Sequence, residues 1–127
     1  MRVYIADDNL EFARFVRRVA EMEGWEATTC TNGRELAAEV ASEEGAALLI
    51  VDINMPELDG IEVIEELKAI KRQLRIRFVT GGEITSAVAA RMIAKARGMD
   101  SGRLLFKPIA VEELKELFRS EARLLFE

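Results

Sequence analysis

Short apolar runs alternate with longer amphipathic stretches along the chain, in a regular order. Val3-Tyr4-Ile5-Ala6 reads as a strand. From Leu10 to Glu23 the apolar positions Phe12, Phe15, Val16, Val19 and Met22 follow 3-and-4 spacing. That predicts one buried helical stripe, with Asn9 as N-cap and Gly24 just past the end. Trp25 to Cys30 alternates weakly, as a half-buried strand does. Thr31-Asn32-Gly33 is a turn capping a second helix from Arg34 to about Glu44, with Leu36, Ala37 and Val40 inward. Ala46 to Val51 is a continuous apolar strand. A third helix follows from Ile61 to Lys71, with Ile61, Ile64, Leu67 and the stem of Lys68 facing the core. Ile76 to Val79 is a fourth strand, and an Ala-rich helix runs from about Thr85 to Arg97. Leu104-Leu105-Phe106 is a fifth strand, and Val111 to Phe126 is the last helix.

Five strand–helix units in series predict an α/β fold: a doubly wound parallel sheet with helices on both faces. The first, third and fourth runs are the most apolar and belong at the centre of the sheet. The second and fifth suit its edges, so the expected strand order is 2-1-3-4-5. Arg77 departs from the apolar pattern of the fourth run and is expected near a strand end or along a helix edge.

Composition narrows the function. The 127 residues are half hydrophobic and 32% charged, the profile of one globular domain spanning residues 1–127. The longest apolar run has six residues, where a membrane helix needs about 18. The few apolar residues ahead of Asp7-Asp8 are too short for a signal peptide, so a cytoplasmic location is expected. The single cysteine, Cys30, excludes an internal disulfide and reads as a small buried filler. The absence of histidine removes Ser-His-Asp and Cys-His triads and almost every zinc site. Residues 1–60 hold thirteen acids and five bases, residues 61–127 ten acids and thirteen bases. With an overall charge of −5 and a pI near 5.0, the chain has no nucleic-acid footprint.

In an open α/β sheet, ligands bind beyond the carboxyl ends of the strands, where the strand order reverses. For order 2-1-3-4-5 that point lies between strands one and three, which end at Asp7-Asp8 and Asp52. Neighbouring strand ends add Thr80 and Lys107. Three carboxylates side by side repel, and a hard divalent cation such as Mg²⁺ relieves them with a shell of carboxylates, water and a phosphoryl group. A carboxylate is also a nucleophile toward phosphorus, with a lysine and a hydroxyl available to meet the transferred charge.

These residues carry a resemblance. Asp7-Asp8, the run Asp52-Ile53-Asn54-Met55-Pro56-Glu57-Leu58-Asp59-Gly60, Thr80-Gly81 and Lys107-Pro108 follow the first, third, fourth and fifth strands. In that order the chain resembles the receiver domains of bacterial two-component response regulators, the single-domain chemotaxis regulator among them. The resemblance implies a flavodoxin-like (βα)5 fold and a phosphoacceptor with no enzymatic turnover of its own. Asp52 then matches the phosphoacceptor. Asp7, Asp8 and Asp52 match the Mg²⁺ ligands, with the backbone carbonyl of Asn54. Thr80 matches the switch hydroxyl, Lys107 the phosphate-binding lysine, and the Lys107–Pro108 peptide is expected to be cis. The implied partners are a sensor histidine kinase and an output protein or domain. A homodimer is the symmetric option through the face of the fourth helix, fifth strand and fifth helix. Arg91, Lys95, Arg103, Lys115 and Arg119 are its candidate rim charges.

Two features depart from the family pattern. Leu104 stands where relatives often carry Tyr or Phe. The run from Thr80 to Lys107 is about a helical turn longer than expected, and the excess is expected within Ala87 to Met99. Three alternatives compete with a phosphoacceptor. An aspartyl phosphatase of the haloacid dehalogenase type needs a second Asp where Asn54 stands. A flavin or nucleotide binder needs a Gly/Ser/Thr loop where Asp7-Asp8-Asn9 stands. A degenerate receiver serving only for docking would not need all five site residues. At the C-terminus, Leu124-Leu125-Phe126 is read as a last turn packed on the core, or as an interface.

Overall fold

A computed structural model of the chain describes residues 1–55, 60–82 and 84–127. The Pro56–Asp59 part of the third-strand motif and the side chain of Ile61 lie outside the described residues. The elements run β1 (Arg2–Ala6), α1 (Leu10–Met22), β2 (Glu26–Cys30), α2 (Gly33–Ala41), β3 (Ala47–Asp52), α3 (Gly60–Ala69), β4 (Leu74–Thr80), α4 (Ile84–Ala96), β5 (Asp100–Ser101), β6 (Leu105–Phe106) and α5 (Val111–Phe126).

All strand pairs are parallel, and the order is β2-β1-β3-β4-β5 with β6 also on β4. The predicted order therefore stands. The predicted fifth strand, Leu104 to Phe106, stands as β6 on β4, and the edge carries a further short strand ahead of it, β5, which the pattern did not mark. The stretch between Thr80 and Lys107 is thus spent on a thirteen-residue α4 and on a separate short strand after it.

Strand alternation divides the core into two layers. Tyr4, Leu49, Val51, Ile76 and Phe78 face a layer with Leu36, Val40, Ile64, Leu67, Ala90 and Ala94 of α2, α3 and α4. Val3, Ile5, Leu48, Ile50 and Val79 face a layer with Val16, Ala20, Leu114 and Phe118 of α1 and α5. The helix caps follow the expected chemistry. Asn9 Oδ1 accepts from the Phe12 amide at 3.1 Å, and Asn32 Oδ1 from the Glu35 amide at 2.8 Å. Helix α1 ends at Gly24, whose φ of +86° suits glycine, and the Trp25 amide turns back to the Ala20 carbonyl at 3.0 Å. That closure drives Trp25 into the core, stacked near Phe118 and Phe126 at 5.7 and 5.9 Å.

Several expectations need correction. Met22 is exposed, because α1 turns its last residue away from the sheet before Gly24. Lys68 is exposed. Helix α2 stops at Ala41, where Ser42 Oγ bonds the Glu39 carbonyl at 2.7 Å and takes over as a local cap. Arg77 lies mid-strand. It shares the face of Arg75 and Val79 toward α5, where both arginines meet the buried carboxylate of Glu121. Arg119 pairs with Glu23 after α1 at 2.8 Å, so it points away from the predicted partner face. At the C-terminus Leu125 is buried and Phe126 leans on Trp25, while Leu124 is exposed.

Candidate functional site

The register puts the ends of the central strands at one height. Ala6 is level with Val51 and Cys30, Asp52 with Val79, and Thr80 with Phe106. The next residues carry the ladder one step further. The Asp7 amide donates to the Cys30 carbonyl at 2.9 Å, the Ile53 amide to Val79 at 3.0 Å and the Lys107 amide to Thr80 at 2.9 Å. Asp7, Asp52, Thr80 and Lys107 are therefore held by the sheet itself rather than by loose loops. The Lys107–Pro108 peptide is cis, as expected.

Asp7 and Asp52 use their oxygens in the same way. Oδ1 of Asp7 accepts from the Asn9 amide and Oδ1 of Asp52 from the Asn54 amide, each at 2.8 Å, closing two Asx turns. Both Oδ2 atoms then face Lys107 Nζ, each at 2.9 Å. The contact with Asp52 is a hydrogen bond. The contact with Asp7 is an ion pair, and its buried Oδ2 receives no well-aimed hydrogen. Asp7 and Asp52 are buried and Asp8 is exposed at the rim. Thr80 is 1% exposed, with Oγ1 accepting from the Gly82 amide at 3.3 Å.

Electrostatics follow from this packing. Burial pushes the Asp7 carboxyl above the usual carboxylate range and the nearby Asp52 charge adds to it, against the opposing pull of the Lys107 ammonium and the Asn9 amide. Burial works against the Lys107 charge, but the Asp7 and Asp52 carboxylates outweigh it and raise its pKa. Cys30, whose carbonyl accepts the Asp7 amide, is buried, and its thiol is pushed up to about 12 by burial and by Glu35 and Glu39.

Asp7, Asp8 and Asp52 each offer an oxygen within 4.8 Å of the others. Together with the undonated Oδ2 of Asp7, that donor set of hard oxygens fits a cation such as Mg²⁺. A family model for the response regulator receiver domain matches residues 3–119. The chain belongs to that family.

Relatives of this receiver domain agree. The response regulator receiver protein CpdR of Brucella abortus is 39% identical over 80 residues, 63% of this chain and 66% of that protein. The transcriptional regulatory protein TctD of Salmonella typhimurium is 33% identical over 123 residues, 97% of this chain. The chain spans 52% of TctD, about half its length. A CheY-like receiver domain protein from Methanospirillum hungatei superposes with a TM-score of 0.78 at 22% identity, covering 98% of this chain and 94% of that one, which supports the fold.

Of the sequence-predicted residues, Asp7, Asp8 and Asp52 come within 4.8 Å of one another, Lys107 meets Asp7 and Asp52, and Thr80 ends the adjacent strand β4. At Asn54 the described contact is the amide donated to Asp52. The sequence pattern marked neither one neighbour of the site nor one buried carboxylate of α5 away from it. Phe12 places its ring 4.3 Å from Lys107 Nζ. Only its spacing was legible, and spacing marked it as core. Glu121 was unremarkable in the pattern of α5, although its partners Arg75 and Arg77 were the visible anomaly in the fourth strand.

Proposed function

We propose that this receiver domain takes a phosphoryl group onto Asp52 from the phosphohistidine of a sensor kinase. What carries the proposal is the convergence of Asp7 Oδ2 and Asp52 Oδ2 on Lys107 Nζ at 2.9 Å each, with Asp8 and Thr80 beside them. In the transfer, an Asp52 carboxylate oxygen bonds to phosphorus. The donor's P–N bond breaks and its electron pair leaves with the imidazole, so an acyl phosphate results. These 127 residues contain no histidine, and the donor histidine therefore lies outside them.

Asp7, Asp8, Asp52 and the carbonyl of Asn54 would hold Mg²⁺, which when bound supplies positive charge against the phosphoryl oxygens. Lys107 stays anchored by Asp7 while its bond to Asp52 passes to a phosphoryl oxygen. The Thr80 hydroxyl bonds another and draws the Thr80-Gly81-Gly82 turn with it. The domain then acts as a phosphoacceptor switch in the cytoplasm rather than as an enzyme turning over a free substrate.

The output face is that of α4, β6 and α5. Ile84, Val88 and Met92 recur every fourth residue and are exposed along α4, and Phe106 of β6 is exposed as well. Lys95 and Arg103 are exposed charges of this region, while Arg91 is half-buried. An output protein, or a second copy of the chain, would read the switch there.

The test is intact mass after incubation with Mg²⁺ and acetyl phosphate. The wild type gains one phosphoryl group and Asp52→Asn gains none. A phosphate adduct on Asp52→Asn overturns the assignment.

A further inference from the structure

Lys107 is held on three sides. Two are the carboxylates of Asp7 and Asp52, and the third is the face of Phe12, with Nζ 4.3 Å from the ring centroid. The ring is itself fixed by the same loop that fixes Asp7. Asp7 Oδ1 accepts from the Asn9 amide at 2.8 Å, and Asn9 Oδ1 accepts from the Phe12 amide at 3.1 Å. Phe15 packs at 6.4 Å on Phe12 within the α1–α5 layer. The contacts thus close a circuit from Asp7 through the cap of α1 to Phe12, across to Lys107 and back to Asp7.

We propose that Phe12 is a positioning residue for phosphoryl transfer, its ring face holding the Lys107 ammonium where a phosphoryl oxygen on Asp52 arrives. The inference rests on Asp52 being the phosphoacceptor. A lysine is a compact charge on a flexible stem, and its rotamer freedom is costly to freeze. Carboxylates alone cannot freeze it here, because the bond to Asp52 must be given up as the Asp52 oxygen bonds to phosphorus. The ring remains throughout. It attracts the ammonium through its quadrupole, shields one side of Nζ from water and leaves the N–H groups aimed at oxygens. A leucine would fill much of the same apolar space without that attraction.

Phosphorylation by acetyl phosphate separates this from packing. In that reaction the P–O bond to acetate breaks and acetate leaves with the electron pair. Phe12→Leu is expected to slow the maximal rate about three- to tenfold, with the half-saturating donor and Mg²⁺ concentrations unchanged. Phe12→Tyr keeps the ring and should recover at least about half of the wild-type rate. Independently, the Lys107 ε-methylene protons of the wild type should show an upfield ring-current shift that Phe12→Leu abolishes and Phe12→Tyr retains. This readout needs no activity. A Phe12→Leu rate equal to wild type, or wild-type Lys107 resonances without the shift, overturns the inference alone. A wild type that takes no phosphate overturns the phosphoacceptor reading, and this inference with it.

Discussion

Replacing Glu121 with glutamine removes a buried carboxylate that neutralises two arginines inside the fold. Glu121 is 1% exposed, and its Oε1 lies 3.0 Å from Arg77 Nη1 and 3.4 Å from Arg75 Nη2, while Arg75 Nε bonds Oε2. Arg77 Nε also donates to the Arg103 carbonyl at 2.7 Å. It passes so close to Gly102 that a Cβ there would lie 2.6 Å from Arg77 Cδ. In Glu121→Gln both guanidiniums would face a neutral amide, with side chains 16% and 12% exposed. Breaking a buried ion pair costs about 3–5 kcal/mol. Here a groove of about 520 Å³ lined by Arg75, Arg77 and Glu121 admits water to the stranded charges. The low end of that range, about 3 kcal/mol, is therefore expected. For a domain of this size it corresponds to a fall of roughly 10 °C in Tm. Urea unfolding with a constant m-value reads the difference directly. Replacing all three residues with Leu or Met should restore stability or exceed it, since the desolvation cost disappears with the charges. A loss below about 1 kcal/mol in Glu121→Gln would refute the reasoning, because the arginines would then need no anionic partner.

Three further outcomes follow from the site. Mg²⁺ at ten times its Kd should stabilise the fold by about 1.4 kcal/mol, and Asp8→Ala should nearly abolish the shift in a thermal melt. The Cys30 thiol, pushed up to about 12 and buried, should not react with a disulfide reagent at pH 8 until the chain unfolds; rapid native-state labelling would contradict its placement. The raised Lys107 pKa gives stability that is fully present below the ordinary lysine value of 10.5 and is lost as pH rises through the folded value. Asp7, also raised, gives stability present below 3.8 and lost as pH rises through its own folded value. Lys107→Met should therefore flatten the alkaline limb of the stability profile, and Asp7→Asn should remove a decline that sets in as pH rises above 3.8.

Sequence patterning carried the architecture because its signals were strong and local. Val3 to Ala6 and Ala46 to Val51 are apolar on both faces, and the caps at Asn9 and Asn32 sit beside unambiguous periodicity. The rim was legible for the same reason, since strand ends in a parallel sheet are level. The further edge strand was not. Asp100-Ser101 has no strand propensity, and it pairs because Arg75 and Ile76 present an open edge to it. Glu121 was invisible because a carboxylate at a helical position is usually solvated, and only the partner strand tells otherwise. Phe12 was assigned to the core by spacing, which records the side of the helix but not that Lys107 crosses its ring.

The same ion-pair cluster bears on how a signal would leave Asp52. Phosphorylation adds roughly −1.5 to −2 charges, at a rim where three carboxylates already cluster and two of them hold the Lys107 ammonium. The donors able to move are Lys107 and the Thr80 hydroxyl, and Thr80 ends β4. The first half of β4 is fastened by Arg75 and Arg77 to Glu121 of α5. A pull on Thr80 would therefore be taken up beyond it, in Gly81-Gly82 and the start of α4. It would also reach β6 through the Lys107 amide on the Thr80 carbonyl. Leu104, half-buried against the α4 layer, would follow rather than gate. Amide hydrogen exchange with and without a phosphoryl mimic tests this. Exchange should change most between Thr80 and Phe106, little at Arg75 to Arg77, and least between Trp25 and Glu44. Equal changes at Arg75–Arg77 would mean that the ion pairs do not hold the strand, and the whole of β4 would then move as one piece.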